Sequence, residues 1–415
     1  MEYLNKIIRY WYFFFVASAF TLMFQIKDWY SLLVVVTVLV GLYSMCHMKW
    51  RTIDYVMLFA MVYSLVSFLF SNYNIMLYYY GIKVQLVSMF FYFIARSRYF
   101  SDDSFIENFK WPMFIVIVAG IVLYFFPPGW YTAFRYSSLV AEEGSISFYE
   151  HTRMSSFFPH PYFLGYGSCF FIIYVVKCIL VNQKVSSMHY IALCIAFFTL
   201  FFSQMRVAIT YTIAFFVLAI AYQIFYGKKN TTFIKFLSVL VLTGTVSFFC
   251  VESLMSDEFL YYVTQRSTEH KGSIVDERFS MFSYFLQYIS FCGQGLGRFG
   301  HAALQFNLRS CCDCEYIRIL AELGYIGGLL ILSPIIYAII QGFRHLHLTF
   351  FETFVLLFFP FAMIGAAPLE EKSQHCYLLW FCVGHIITKI NNEYGINNPK
   401  LQQLRRYIKL LRQYR

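Results

Sequence analysis

The sequence predicts an all-α integral membrane protein of about twelve transmembrane helices with two long extracytoplasmic loops, and three observations predict it. Hydrophobic residues make up 60% of the 415 positions and charged residues only 13%, with a mean hydropathy of +0.59. A soluble domain carries roughly 25% charged residues. Apolar runs of about 20 residues recur along the whole chain, each long enough to cross a hydrocarbon core of about 30 Å. These runs are continuous rather than alternating in polarity, which argues against a membrane β-barrel.

In order, the spans fall near residues 10–26, 29–48, 53–71, 74–95, 111–128, 159–181, 187–204, 207–226, 233–252, 315–341, 350–368 and 375–389. They form one polytopic domain over residues 1–415. The first run lacks a small-residue cleavage site and reads as an ordinary span, not a signal peptide. Orientation follows from lysine and arginine placement. With the N-terminus inside, the cytoplasmic segments hold Lys6 and Arg9; Lys49 and Arg51; Arg96, Arg98 and Lys110; Lys184; Lys228, Lys229 and Lys235; and Arg344. The basic tail, residues 390–415, carries Arg405, Arg406, Lys409, Arg412 and Arg415. Both termini are therefore expected inside.

This topology accounts for the net charge of +10 without nucleic acid as a partner. The tail PKLQQLRRYIKLLRQYR spaces apolar residues helically among bases, as in an amphipathic helix lying on anionic membrane lipids. Most of the 11 cysteines fall within predicted spans, where cysteine acts as a small apolar filler. Cys311, Cys312 and Cys314 cluster in SCCDCEY, without the paired spacing of a zinc site. A disulfide from Cys292 to Cys311 or Cys312 is one expectation for them. There is no Gly-rich phosphate loop, which argues against an ATP-driven pump.

The two long outer loops are expected at 129–158 and 253–314. Connections beyond about 15 residues without regular structure are usually functional. Within the second, MFSYFLQYISF has aromatics at helical spacing and reads as a half-buried helix. Against the positive-inside trend, Arg135, Arg153, Arg206, Arg266, Arg278, Arg298, Arg309 and Arg318 fall on the outer side. Most loop arginines are solvated or touch lipid headgroups. Arg206, in FFSQMRVAITY, has so short a connection around it that it must lie at the membrane edge, where charges are functional candidates. Arginine fits phosphate oxygens in a planar, bidentate way, so this set suits a lipid-linked phosphate or pyrophosphate. Lys83, in YYYGIKVQLV, falls near mid-span and either faces a polar cavity or snorkels.

Four stretches together resemble the O-antigen polymerase and ligase superfamily. HTRMSSFFPHPYFLGYG (151–167) is similar to its R…F…HP…LG element, and FFSQMRVAITY to the following element, in which an arginine precedes a helix. GQGLGRFGHA (293–302) resembles its GxGxG element and DCEYIRILAELGYIGG (313–328) its last. Within that last element, ligases begin with histidine followed by Asn, Ser or Gln, then glycine eleven positions on and a small residue three later. Gly324 and Gly327 keep the register, but Asp313 replaces the histidine and Cys314 the polar residue. The departure favours the polymerase branch.

That resemblance implies a polymerase in the bacterial inner membrane, its site facing the periplasm. It would move a growing glycan from undecaprenyl pyrophosphate onto an incoming lipid-linked repeat unit, with no metal or cofactor. Expected partners are the undecaprenyl-pyrophosphate-linked oligosaccharide, membrane lipids and a chain-length regulator protein. Arg206 is the expected first partner of the leaving pyrophosphate, with Arg153, Arg278 and Arg298 beside it and Lys83 as a further cation. Asp313, His160 and His301 are candidate bases or acceptor-binding groups; His160 is equally readable as a helix cap. Glu315 either orients Asp313 or pairs with Arg318 one helical turn on. A ligase of the same fold, or a transporter of lipid-linked sugars with no chemistry, remains open.

Overall fold

The computed structural model describes residues 1–24, 29–70, 75–135, 153–158, 160–181, 186–226, 280–300, 303, 306–311, 314–369 and 375–394. Among them every regular element is helical. In chain order they are α1 (Glu2–Arg9), α2 (Trp11–Met23), α3 (Tyr30–His47), α4 (Thr52–Val66), α5 (Ile75–Gly81), α6 (Val87–Arg96), α7 (Ser104–Phe125) and α8 (Gly129–Arg135). Then follow α9 (Pro161–Leu180), α10 (Ser187–Phe202), α11 (Arg206–Tyr226), α12 (Glu315–Arg344), α13 (Leu346–Ala362) and α14 (Cys376–Tyr394). A π-helical turn, Ile82–Leu86, joins α5 to α6. Residues 280–286, within the aromatic stretch expected to be helical, form a short helix.

Among the described residues six helices are long and apolar enough to cross a membrane: Tyr30–His47, Thr52–Leu69, Ser104–Phe125, Pro161–Leu180, Arg206–Ile224 and Glu315–Arg344. Shorter apolar helices stand at Trp11–Thr21, Ser187–Phe202 and Leu346–Ala362. The chain is thus a multi-pass helical membrane protein. Helix occupies every expected span except 233–252, which lies outside the described residues. The same holds for 136–152 and 253–279 of the expected outer loops, for Asp313, His301, Arg278 and Cys312, and for the tail from 395.

Polarity is not sorted inside from outside, as it is in a soluble bundle. Leu32, Val35, Leu39, Phe59, Ile213, Val217 and Leu329 face outward at 50% exposure or more, as hydrocarbon contact requires. Helix α9 is the axis of the bundle, buried along its length except for the half-buried Tyr162. Pro161 starts it, where a missing N–H costs no hydrogen bond. α7, α10, α11 and α13 surround it, and α14 packs along α6. Small residues set the closest approaches: a Cβ on Gly384 of α14 would stand 2.4 Å from the Tyr92 carbonyl oxygen of α6.

Buried charge pins one end of the bundle. Asp54 accepts from the Arg51 N–H at 2.7 Å, closing the start of α4, and from Tyr92 OH (2.5 Å) and Arg96 Nε (2.8 Å). A second cluster joins Asp103, Lys177, Glu352, His385 and Lys389. The disulfide expected of Cys292 is not formed: Cys292 is a free thiol, its carbonyl oxygen accepting from Tyr63 OH at 2.9 Å.

Candidate functional site

The opposite end of the bundle is built around a break in α12. Gly324 has φ 67° and ψ −171°, outside helical space. In an unbroken helix the Ala321 and Glu322 carbonyls would accept from the amides of Tyr325 and Ile326. Here the Gln294 and Gly295 amides donate to those carbonyls, at 2.9 and 2.7 Å. Tyr325 N and Ile326 N donate instead to the Ser290 and Phe291 carbonyls, at 3.2 and 3.4 Å. The segment 290–295 is spliced into the gap of the helix, so these four backbone groups of the break are bonded rather than left bare in an apolar medium.

Only glycine permits this contact at two points. Gly293 (φ 80°) could carry a Cβ only 2.3 Å from the Glu322 carbonyl oxygen, and Gly324 only 2.4 Å from that of Phe291. Farther along, Leu296 N donates to Ser67 Oγ at 3.1 Å, and Gly297 lies against Gly81 at the end of α5. The GQGLG stretch is therefore a buried wedge between α4, α5 and α12, rather than an open loop.

Charge is concentrated beside the wedge. Arg318 donates to Glu322 Oε2 at 2.6 Å, to Gln85 Oε1 at 3.0 Å and to Glu315 Oε1. Glu322 Oε1 also accepts from Phe299 N at 2.8 Å. Arg318 is 1% exposed and Glu315 and Glu322 are 0%. The i+3 and i+4 spacings stack all three on one helical face, and Gln85 reaches them from the π turn, a local geometry frequent at functional sites. Glu315 pairs with Arg318, as one of its two readings expects; Asp313, its partner in the other, lies outside the described residues. Arg318, expected among the phosphate-facing arginines, is instead matched by two carboxylates in the interior.

A second group forms around the start of α9. Met154 N donates to the Phe202 carbonyl at 3.0 Å, tying the segment 153–158 to the end of α10. Tyr131 OH donates to the Ser156 carbonyl at 2.8 Å. Residues 154–158 are buried. Met205 packs on Gly165 so closely that a Cβ there would meet its Cγ at 2.4 Å. Arg206 follows as the first residue of α11, exposed and with no ion pair among the described residues. His160 is the N-cap residue of α9 but makes no side-chain cap bond, and its ring lies 5.8 Å from that of Tyr162. Arg153 is half-buried at the head of the segment.

The two groups flank the end of α13. Glu315 N reaches the Met363 and Ala366 carbonyls at 3.0 and 3.1 Å, and His375 Nε2 lies 3.0 Å from the Phe163 carbonyl oxygen. Arg298, half-buried on the wedge, donates to Gln294 Oε1 at 3.2 Å and lies over the Phe299 ring. Lys83, on the π turn with Gln85, holds its ammonium 5.5 Å from the centre of the Tyr30 ring, whose hydroxyl meets that of Tyr377 at 2.8 Å. Sequence reasoning missed Glu322 and Gln85. Glu322 was findable, standing i+4 from Arg318 within the quoted stretch; nothing local marks Gln85.

At the other end, ligand atoms of Asp103, Glu352 and His385 lie within 4.8 Å of one another, a spacing that could hold a metal ion. The Lys389 ammonium takes that cationic place, 2.5 Å from Asp103 Oδ1 and 2.7 Å from Glu352 Oε1. Lys177 lies 2.7 Å from Asp103 Oδ2, and His385 Nδ1 2.8 Å from Glu352 Oε1. The residues present do not fit a resident ion. Burial and the nearby Glu352 push the Asp103 carboxyl up, but Lys389 and Lys177 outweigh them and hold it below its ordinary range.

Compared with known proteins, the chain matches no family model and no curated protein.

Proposed function

We propose that the protein is a polysaccharide polymerase that lengthens a glycan held on a lipid pyrophosphate, acting on the outer side of the bacterial inner membrane. One observation carries the reading. The four stretches resembling the superfamily pair up, the first with the second through Met154 and Phe202, the third with the fourth through the α12 break, at one end of the bundle. In this account Arg206, exposed at the membrane edge, meets the leaving pyrophosphate, with Arg153 and Arg298 as further cations. Preorganised charge of this kind speeds breakage of the anomeric C–O bond. Asp313, His160 or His301 takes the proton of the acceptor hydroxyl.

A discontinuous helix is also a habit of transporters, whose half-helix ends bind cargo near the midplane, so the α12 break favours that second reading. Against it, the backbone groups freed at Gly324 are bonded by the wedge instead of being offered to a ligand. Cells distinguish the two. Loss of the protein, or Arg206→Ala at normal protein level, should leave single repeat units on the acceptor in place of long chains. Long chains persisting without the protein would refute the polymerase reading, and repeat units stranded on the cytoplasmic face would favour transport.

A further inference from the structure

We propose that Glu322 is a positioning residue, which fixes the wedge and so places the Arg298 guanidinium against a lipid-linked pyrophosphate; this rests on the function proposed above. Three bonds meet on Glu322. Its carbonyl accepts from Gly295 N at 2.7 Å, its Oε1 from Phe299 N at 2.8 Å and its Oε2 from Arg318 at 2.6 Å. Residues 295 and 299 bracket Arg298, so one buried residue holds both sides of the turn that presents it. The two arginines divide the work. Arg318 is buried and matched by two carboxylates, whereas Arg298 is half-buried and has no carboxylate partner among the described residues. Arg318 thus serves as the buried donor that holds the Glu322 side chain in place, and Arg298 keeps a net positive charge for an incoming anion.

The contact makes Glu322→Gln informative. An amide keeps the length, but both of its neighbours are donors, so its NH2 must face either Phe299 N–H or Arg318. The full chain in lipid nanodiscs is titrated with undecaprenyl pyrophosphate, and the KM for lipid-linked repeat unit is measured in parallel. Glu322→Gln should weaken binding and raise KM about tenfold or more, the loss expected for a charge-assisted hydrogen bond, with kcat little changed. Arg298→Ala should do the same, and the double variant should be no worse than Arg298→Ala alone. Faster hydrogen exchange at the Phe299 amide should accompany the loss. If Glu322→Gln yields no stable protein, Glu322→Asp, which retracts the carboxylate by one methylene, is read in the same way.

Additive losses, or unchanged binding with only a lower thermal midpoint, would overturn the positioning role while leaving the polymerase reading standing. Wild type that binds the lipid but forms no polymer would defeat the polymerase reading, the binding cycle still deciding the role of Glu322. Wild type that neither binds nor polymerises would defeat both.

Discussion

Arg206 and Arg318 show what separates an exposed charge from a buried, matched one. Both stand near the start of an apolar helix, but the sequence already sets Arg206 at a membrane edge and offers Glu315 as a partner for Arg318. The structure exposes Arg206 and buries Arg318 between Glu315 and Glu322. Arg206→Ala should therefore leave the thermal midpoint in detergent unchanged and cost roughly 10²–10³ in transfer rate, the usual loss for one preorganised charge contact. Arg206→Lys should recover only part, since an ammonium lacks the planar fork. Arg318→Ala should behave oppositely, with loss of folded protein, because removing one partner of a buried ion pair costs about 3–5 kcal/mol. Asp313 lies outside the described residues, so its role is argued from the sequence alone. Asp313→Asn should abolish chain growth if the carboxylate acts on the acceptor hydroxyl, and should keep it if the residue is a helix cap, since Asn caps about as well as Asp.

Helices were the most legible elements, because an apolar run of membrane length has few alternatives. The break in α12 was not legible. Gly324 and Gly327 were readable as a register within a motif, but the amides that fill the gap come from 294 and 295, and their pairing with 321 and 322 leaves no local trace. The packing of one stretch of the second expected outer loop was not legible for the same reason. Within its described part, residues 290–300 are largely folded into the bundle, since GQGLG can pack backbone against backbone where side chains could not. Gly324→Ala should be destabilising by at least about 1–3 kcal/mol from the left-handed conformation alone, with the clash against the Phe291 carbonyl in addition. A fall in thermal midpoint, accompanied by faster hydrogen exchange at Gln294 and Gly295, would show that the wedge depends on it. An unchanged midpoint would mean that the break does not matter to the fold.

Across the whole molecule, the motif-bearing segments around α9 and α12 stand at one end and the buried Asp54 and Asp103 ion clusters at the other. The anchoring pairs were invisible in sequence because they join residues as remote as Asp103 and Lys389, and a lone charge looks the same whether lipid or a carboxylate receives it. Lys389→Met should leave Asp103 and Glu352 short of a cation and destabilise the fold. The pH response follows from the sign of the Asp103 shift. Its carboxyl is depressed in the folded state, so its contribution is complete above the unfolded value of about 3.9 and is lost as pH falls through the folded one. The midpoint should therefore hold steady on acidification until about pH 4 and then drop, less steeply in Asp103→Asn. The central claim is chemical, that this bundle makes glycosidic bonds without nucleotide or metal. Purified protein in nanodiscs, given defined lipid-linked repeat units and a chelator but no nucleotide, should produce a ladder of lengthened chains and released lipid pyrophosphate, and Arg206→Ala should produce neither. Repeat units returned unlengthened by the wild-type protein would contradict it.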